Sequence, residues 1–274
     1  MLQSLQFDPA DGRRWVIRAV DERAAVVVEE LGRVMRLGPG DGGRELTVAV
    51  GGEPDRSGAA SGGVLCRLDV PTNRETQVRQ MRRIASMIAR EAMVWGGLLF
   101  HGALAEYRGS GFLMAGPGCI GKSTASRRLP LPWRSLSDDM SLVVRDGKGR
   151  LWAHPWPTWS SLWHDRPEAT WAVEQAIPLR AVFFLDQAPV DRVEPVNATQ
   201  ATAMILESAE ELVHEVKFVV EDVDAGWTLS SEVLGVAREL ARAVPAFSLQ
   251  VSLGGRFWEH IEKVLPVGPA PGGG

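Results

Sequence analysis

The chain has 274 residues, 45% apolar and 23% charged, with a formal net charge of −4. That length suits one large domain or two small ones, with the composition of a soluble globular protein. The acidic balance argues against an extended nucleic-acid surface, and no run of about 18 consecutive apolar residues suggests a membrane span. The first residues, MLQSLQFDPADGRRW, contain no apolar run suited to a signal peptide, so a cytoplasmic setting is expected. Of the two cysteines, Cys66 and Cys119, the second lies in a glycine-rich loop that a disulfide would tie down. Both are expected as free thiols.

In chain order, residues 15–20 read as a strand. Residues 22–36 have helical apolar spacing, with Asp21 as the expected cap and Gly38 as the expected stop. Residues 45–50 and 64–70 read as strands, separated by a loop (51–63) whose composition suggests mobility. Residues 1–70 are thus expected to form a small N-terminal α+β extension, a scaffold or docking piece. The clearest helix covers 73–94, with Thr72-x-x-Glu75 as a capping box and Val78, Met81, Ile84, Ile88 and Ala92 on one apolar face. Its arginines, Arg74, Arg79, Arg82, Arg83 and Arg90, are expected to form a solvated face.

Residues 98–107 and 111–116 flank a short turn and read as a hairpin. A turn centred on Gly109 and Ser110 places His101 opposite Pro117 or Gly118. The alternative is a histidine pointing into the core from its strand. Next comes GPGCIGKST, a full match to the phosphate-loop pattern: Gly116, Pro117, Gly118, Cys119, Ile120, Gly121, Lys122, Ser123 and Thr124. The pattern has a physical purpose. Glycines let successive N–H groups turn inward around an anion, and the following helix adds its own unpaired N–H groups. Lys122 suits the β and γ phosphates, and the Ser123 hydroxyl suits Mg²⁺. The apolar strand before the loop and the helix after it supply the required context.

Asp138 and Asp139 come after one helix and one return strand. Such a pair can divide the work of phosphoryl transfer: Asp139 as a metal ligand with Ser123, and the other carboxylate as proton acceptor. Mutual repulsion is expected to raise one of the two pKa values. The bland alternative is a turn or a helix cap. A second hairpin is expected around DGKG (146–149). The stretch HPWPTWSSLW (154–163) is too rich in Pro and Trp to be regular throughout. Its Trp156, Trp159 and Trp163 suit either an aromatic wall for adenine or a peptide, or core filling. A buried strand (179–186), a helix opened by Asn197-x-x-Gln200, a helix over 230–244, a strand and a short helix complete the main unit, 71–266. The tail 267–274 reads as disordered.

The stretch FHGALAEYRGSGFLMAGPGCIGKST, with LSDDMSLVV further on, resembles the catalytic domain of HPr kinase/phosphorylase over about 45 residues, 100–144. The segments PLRAVFFLD and VEPVNATQATAMIL are similar, more loosely, to HPr-kinase-related proteins that accompany ribosomally made peptides. These include lasso-peptide kinases and the SynChlorMet cassette protein ScmC. The resemblance implies a phosphoenolpyruvate-carboxykinase/HPr-kinase-like P-loop fold in the α/β class, with mixed, partly antiparallel sheets. Both hairpins agree with that, whereas a Rossmann-like NTPase would show parallel pairing throughout. It also implies ATP and Mg²⁺ as cofactors, a protein or peptide with an acceptor Ser as partner, and catalytic roles for His101, Asp138 and Asp139. No nucleic-acid or membrane partner is implied, and self-association is left open. The loop ends in Lys-Ser-Thr where that family has Lys-Ser-Glu, and HPWPTWSS replaces its glycine-rich segment with Glu and Arg. His154 is a candidate for the missing metal-ligand corner. Three activities stand as alternatives: a Ser kinase, a catalytically degenerate ATP-binding assembly or regulatory factor, and a small-molecule kinase or carboxykinase.

Overall fold

The computed structural model describes residues 4–51, 63–163, 166–219 and 223–265. The expected tail and most of the loop 51–63 lie outside them. The chain is mixed α/β, and the described residues form two sheets. The first sheet has four strands: β1 (Ser4–Phe7), β2 (Trp15–Ala19), β3 (Arg44–Val50) and β4 (Val64–Leu68), in that order. β1 runs antiparallel to β2, while β2, β3 and β4 run parallel. Helix α1 (Glu22–Met35) joins β2 to β3 and buries Val27, Val28, Leu31 and Val34. Asp21 caps it by accepting from Ala24 N at 2.8 Å. It stops at Arg36, two residues before the glycine that the sequence suggested. Arg36 takes φ 51° and its side chain donates to Thr170 Oγ1 at 2.8 Å, a tie that offsets the cost of a left-handed residue.

Helix α2 (Arg74–Val94) lays its apolar face on this unit. Its cap is Asn73 with Thr76, not Thr72 with Glu75. Asn73 Oδ1 accepts from Thr76 N at 2.9 Å, and Thr76 Oγ1 accepts from Asn73 N at 3.0 Å. Asparagine extends its acceptor without a β-branch and leads the N-cap ranking. The arginine face is only partly solvated: Arg79 is exposed, but Arg74, Arg82, Arg83 and Arg90 are half-buried. Arg74 explains part of this. It reaches Glu30 at 2.7 Å, while Arg33 grips the same carboxylate at 2.8 Å through both Nε and Nη2.

That clamp joins α1 to α2, and it sets a pH dependence. The Arg33 hydrogen bonds, against an opposing push from burial, bring the Glu30 pKa down from 4.5 to about 2. A lowered carboxylate pKa stabilises the fold fully above about 4.5, and the contribution is lost as pH falls toward 2. With allowance for solvent screening, Glu30→Gln should cost about 2 kcal/mol at neutral pH. Urea denaturation at pH 7, 4 and 3 checks this: the gap between wild type and variant should shrink as pH drops. A gap independent of pH would remove the clamp from the account.

The second sheet has eight strands: β5 (Leu98–Tyr107), β6 (Ser110–Ala115), β7 (Arg134–Ser137), β8 (Met140–Arg145), β9 (Leu151–Trp156), β10 (Ile177–Gln187), β11 (Arg192–Pro195) and β12 (Ala246–Val251). Its main path runs β11-β12-β10-β6-β5-β8-β9, with β7 also pairing β5. Pairing is mixed: β10 is parallel to β6 and β12, while β5 is antiparallel to β6, β7 and β8. Both expected hairpins are present. The first turns at Arg108 and Gly109, one residue earlier than expected. Both residues have positive φ, 51° and 77°, which is what a tight two-residue hairpin turn requires. Glu106 supports it by accepting from Gly109 N at 2.9 Å. The four-residue strands β1 and β11 have no counterpart in the sequence reading, whereas β7 is the return strand expected before Asp138.

Helices α5 (Ala198–Val219) and α6 (Val223–Ala243) share one core with the second sheet. Helices α3 (Lys122–Arg128) and α7 (Phe257–Val264) share another. The short helix α4 (Trp159–Trp163) comes after β9. β9 extends through Pro155 to Trp156 and α4 starts at Trp159, with a break at Pro157 and Thr158, so the Pro/Trp-rich stretch is not regular throughout, as expected. Trp156 and Trp159 are core residues, 1% and 3% exposed. Trp156 meets Phe7 edge-on at 5.9 Å. They share one core with β2, α1, β3 and α2, so the first sheet and the second unit are enclosed together. Cys66 and Cys119 are both free thiols. Burial pushes the Cys66 thiol up to about 12, which keeps it protonated. Among the described residues, no helix is long and apolar enough to cross a membrane.

Candidate active site

Strand β5 positions the whole site. On one edge Gly102 faces Ala115 of β6, and the glycine loop begins directly after β6. On the other edge β5 changes partner. Residues 104–106 pair with β7, and residues 98–101 pair with β8. Asp138 and Asp139 occupy the junction between those two strands. His101 is opposite Met140, so its neighbour in the facing strand is Asp139. Two buried hydroxyls seal the junction. Ser141 Oγ donates to Gly102 O at 2.8 Å and lies 3.0 Å from Ser137 Oγ, which accepts from Leu104 N.

The hairpin thus brings His101 beside the loop. A Cβ placed on Gly118 would stand 3.8 Å from His101 Cε1. Within the loop, Gly116 and Gly121 take φ of 154° and 105°. L side chains rarely adopt such angles, and this is where the pattern needs glycine. Cys119 is also left-handed, at φ 62°, and exposed. Gln187 at the end of β10 braces the loop through a 3.2 Å bond to Ile120 O.

Lys122 is only 3% exposed. Its ammonium donates to Gly116 O at 3.0 Å and Pro117 O at 2.8 Å, and lies 3.4 Å from Asp139 Oδ1. His101 Nε2 approaches the same Asp139 oxygen at 3.0 Å. Burial pushes the Asp139 carboxyl up, but the His101 hydrogen bond, the imidazole charge and the Lys122 ammonium outweigh it and hold it below the ordinary aspartate range. The expected consequence of carboxylate repulsion is therefore not what Asp139 shows. The two aspartates are served by separate sets of cations. Asp138 Oδ1 accepts from Thr158 Oγ1 at 2.9 Å, and Oδ2 accepts from Arg166, with Arg127 at 3.6 Å. Ser123 Oγ donates to Asp138 O at 3.2 Å.

Arg166 and Thr158 are the residues that sequence reasoning missed. No motif or periodicity marks them. Thr158 stands between β9 and α4 and Arg166 comes after α4, and tertiary folding brings both to Asp138. His154 does not join the cluster. It is fully buried, and Nε2 accepts from Ala10 N at 3.1 Å, so Nδ1 carries the proton toward Val173 O at 2.7 Å. Burial lowers its pKa and keeps it neutral. It ties the first unit to β9 and is no metal ligand.

The fit to a nucleotide rests on Lys122. A buried ammonium held among backbone carbonyls and one carboxylate, at the start of the helix that follows the glycine loop, has the donor chemistry for phosphate. For a metal, Ser123 and Asp139 offer oxygen donors. Among the described residues no group of three or more His, Cys, Asp or Glu could hold an ion alone. Two protein oxygens are within what Mg²⁺ takes, its shell being completed by phosphates and water.

A family model described as SynChlorMet cassette protein ScmC matches residues 64–266. No curated protein matches the chain.

Proposed function

The chain belongs to the SynChlorMet cassette protein ScmC family, and from that premise we propose that it is an ATP-dependent kinase of HPr-kinase-like fold. It transfers the γ-phosphoryl group to a hydroxyl, a Ser of a protein or ribosomally made peptide. One observation carries the reading: Lys122 and His101 converge on one oxygen of Asp139 at the glycine loop. A passive binder has no need of that cluster.

In this reading the amides of Gly116–Thr124 and the Lys122 ammonium hold the phosphates, and Ser123 with Asp139 holds Mg²⁺. ATP supplies the transferred group, and Mg²⁺ neutralises its charge. Asp139 suits the metal role because its lowered pKa keeps it ionised. His101 fixes its orientation. Asp138, oriented by Thr158 and Arg166, accepts the proton of the acceptor hydroxyl. The Lys-Ser-Thr ending, and the absence of the glycine-rich segment, leave HPr and the reverse phosphorylase reaction outside the proposal.

A second reading is an ATP-binding assembly or regulatory factor without transfer. It is favoured by Asp138, whose two carboxylate oxygens both already accept hydrogen bonds. Incubation with γ-labelled ATP, Mg²⁺ and a panel of Ser-containing precursor peptides separates the two. Transfer by wild type, lowered about 10²–10⁴-fold by Asp138→Asn and by Asp139→Asn, is the expected result. ATP binding without transfer to any acceptor would establish the second reading instead.

A further inference from the structure

The surroundings of Asp138 conflict with the base role. A proton acceptor needs a lone pair open toward the acceptor hydroxyl. Oδ1 of Asp138 accepts from Thr158 Oγ1 at 2.9 Å, Oδ2 accepts from Arg166 Nη2, and Arg127 Nη2 stands 3.6 Å from Oδ2. The Asp138 side chain is 11% exposed, so little of it is open beyond these partners.

The two hydrogen-bond donors are held differently. Thr158 is 5% exposed, in the short connection between β9 and α4. Arg166 is rooted at its backbone. Its N–H donates to Ser161 O at 2.7 Å, and its carbonyl accepts from Ala169 N at 3.0 Å. Its side chain is 44% exposed. Among the described residues, the guanidinium's other hydrogen bond goes to Ser161 Oγ, at a long 3.3 Å. Rotation about its side-chain bonds therefore moves the guanidinium without disturbing the chain.

Ser123 fixes where this pair lies. Its Oγ donates to Asp138 O at 3.2 Å, which ties the aspartate to the first turn of α3, where the glycine loop ends. Among the described residues, three permanent cations, Lys122, Arg127 and Arg166, form ion pairs with the two carboxylates Asp138 and Asp139. The surplus of positive charge favours a further anion at that end of the loop.

Resting on the kinase reading, we propose that Arg166 is a γ-phosphate-operated latch on the base. It clasps Asp138 when no γ-phosphate is present and exchanges that carboxylate for the γ-phosphate when ATP binds. Guanidinium binds carboxylate and phosphate through the same planar fork, so one charged hydrogen bond replaces another. Asp138 keeps its Thr158 hydrogen bond, and Oδ2 becomes open to the acceptor hydroxyl. ADP lacks the third phosphate and leaves the latch closed. The contact that masks the base thus ties its exposure to the presence of the group to be transferred.

The test is isothermal titration of the full chain, with Mg²⁺, against two probes: ADP and the non-hydrolysable ATP analogue AMP-PNP. The readout is the ratio of the two affinities. Arg166→Ala and Arg166→Gln should each lower the preference for AMP-PNP about 10-fold, the lower end for one charged hydrogen bond because the side chain is half-exposed. ADP affinity should stay within about 2-fold, which also shows that the variants fold. Asp138→Asn, of the same shape but uncharged, removes the competitor for Arg166 and should raise the preference about 10-fold. In the Arg166→Ala background that gain should shrink to about 2-fold or less. An arginine that only supports the fold predicts loss of both probes together. That result, an unchanged ratio in both Arg166 variants, or an Asp138→Asn gain of equal size without Arg166 would overturn the latch and leave the nucleotide site standing. Failure of wild type to bind either probe would overturn the kinase reading and the latch with it.

Discussion

Lys122→Ala should lower ATP affinity about 100-fold and remove phosphoryl transfer with it. The expectation comes from burial. The ammonium is 3% exposed and makes two carbonyl hydrogen bonds in the loop. Charged hydrogen bonds contribute about 1.5–3 kcal/mol each, and a 100-fold change is about 2.7 kcal/mol. The loss therefore corresponds to one or two such bonds to phosphate. Thermal denaturation with and without ATP supplies the measurement, since a ligand that binds the folded state stabilises it by an amount that grows with the logarithm of its affinity at fixed concentration. Wild type should gain several degrees at saturating ATP; Lys122→Ala should gain almost nothing at the same concentration. Lys122→Met, closer in length, should behave like Ala because the charge and not the bulk is needed. If the ATP-induced shift survived both substitutions, the glycine loop would not be the phosphate site.

Removing residues 1–70 should leave a chain that does not fold by itself. The apolar face of α2 (Val78, Met81, Ile84 and Ile88, all 0% exposed) is enclosed in one core with α1, β2, β3 and the tryptophans of the second unit. Truncation would expose that face, along with Trp156 and Trp159. His154 would lose the Ala10 N–H, leaving a ring nitrogen in the interior without its donor. A milder version keeps the chain whole: Trp156→Ala should cost about 3–5 kcal/mol, the usual penalty for emptying a large aromatic site. Size-exclusion chromatography, dye binding to exposed apolar surface and calorimetry check both. The truncated chain should aggregate or bind dye, and the full chain should melt in a single transition. A monomeric, cooperatively melting fragment 71–274 would show instead that the N-terminal unit is an independent attachment.

Much of the site was legible because local patterns dictate it. The glycine loop is a contiguous motif, and the hairpin before it is a two-run pattern around a turn. The position of His101 came from counting across that hairpin, even though the turn is one residue off. Arg108 accepts a positive φ that the sequence does not advertise. Asp138 and Asp139 were visible as a pair, but their division of partners was not. It depends on Arg166 and Thr158, which approach through tertiary folding and leave no periodic trace. The cap of α2 shows the same limit on a smaller scale. Thr72 with Glu75 and Asn73 with Thr76 are both admissible boxes one residue apart, and only the path of the chain decides between them. The tryptophans were ambiguous for a different reason. An indole suits a core and a binding wall equally, and burial is not written in residue type.

Strand β5 carries the glycine loop's hairpin on one edge and the aspartate junction on the other. It therefore works as a common datum for both halves of the site. A drift of that strand against the surrounding helices carries the loop, His101 and the carboxylates along together, so their mutual spacing tolerates strain that would separate groups mounted on independent elements. Errors in their placement are shared, and shared errors cancel in the distances on which chemistry depends.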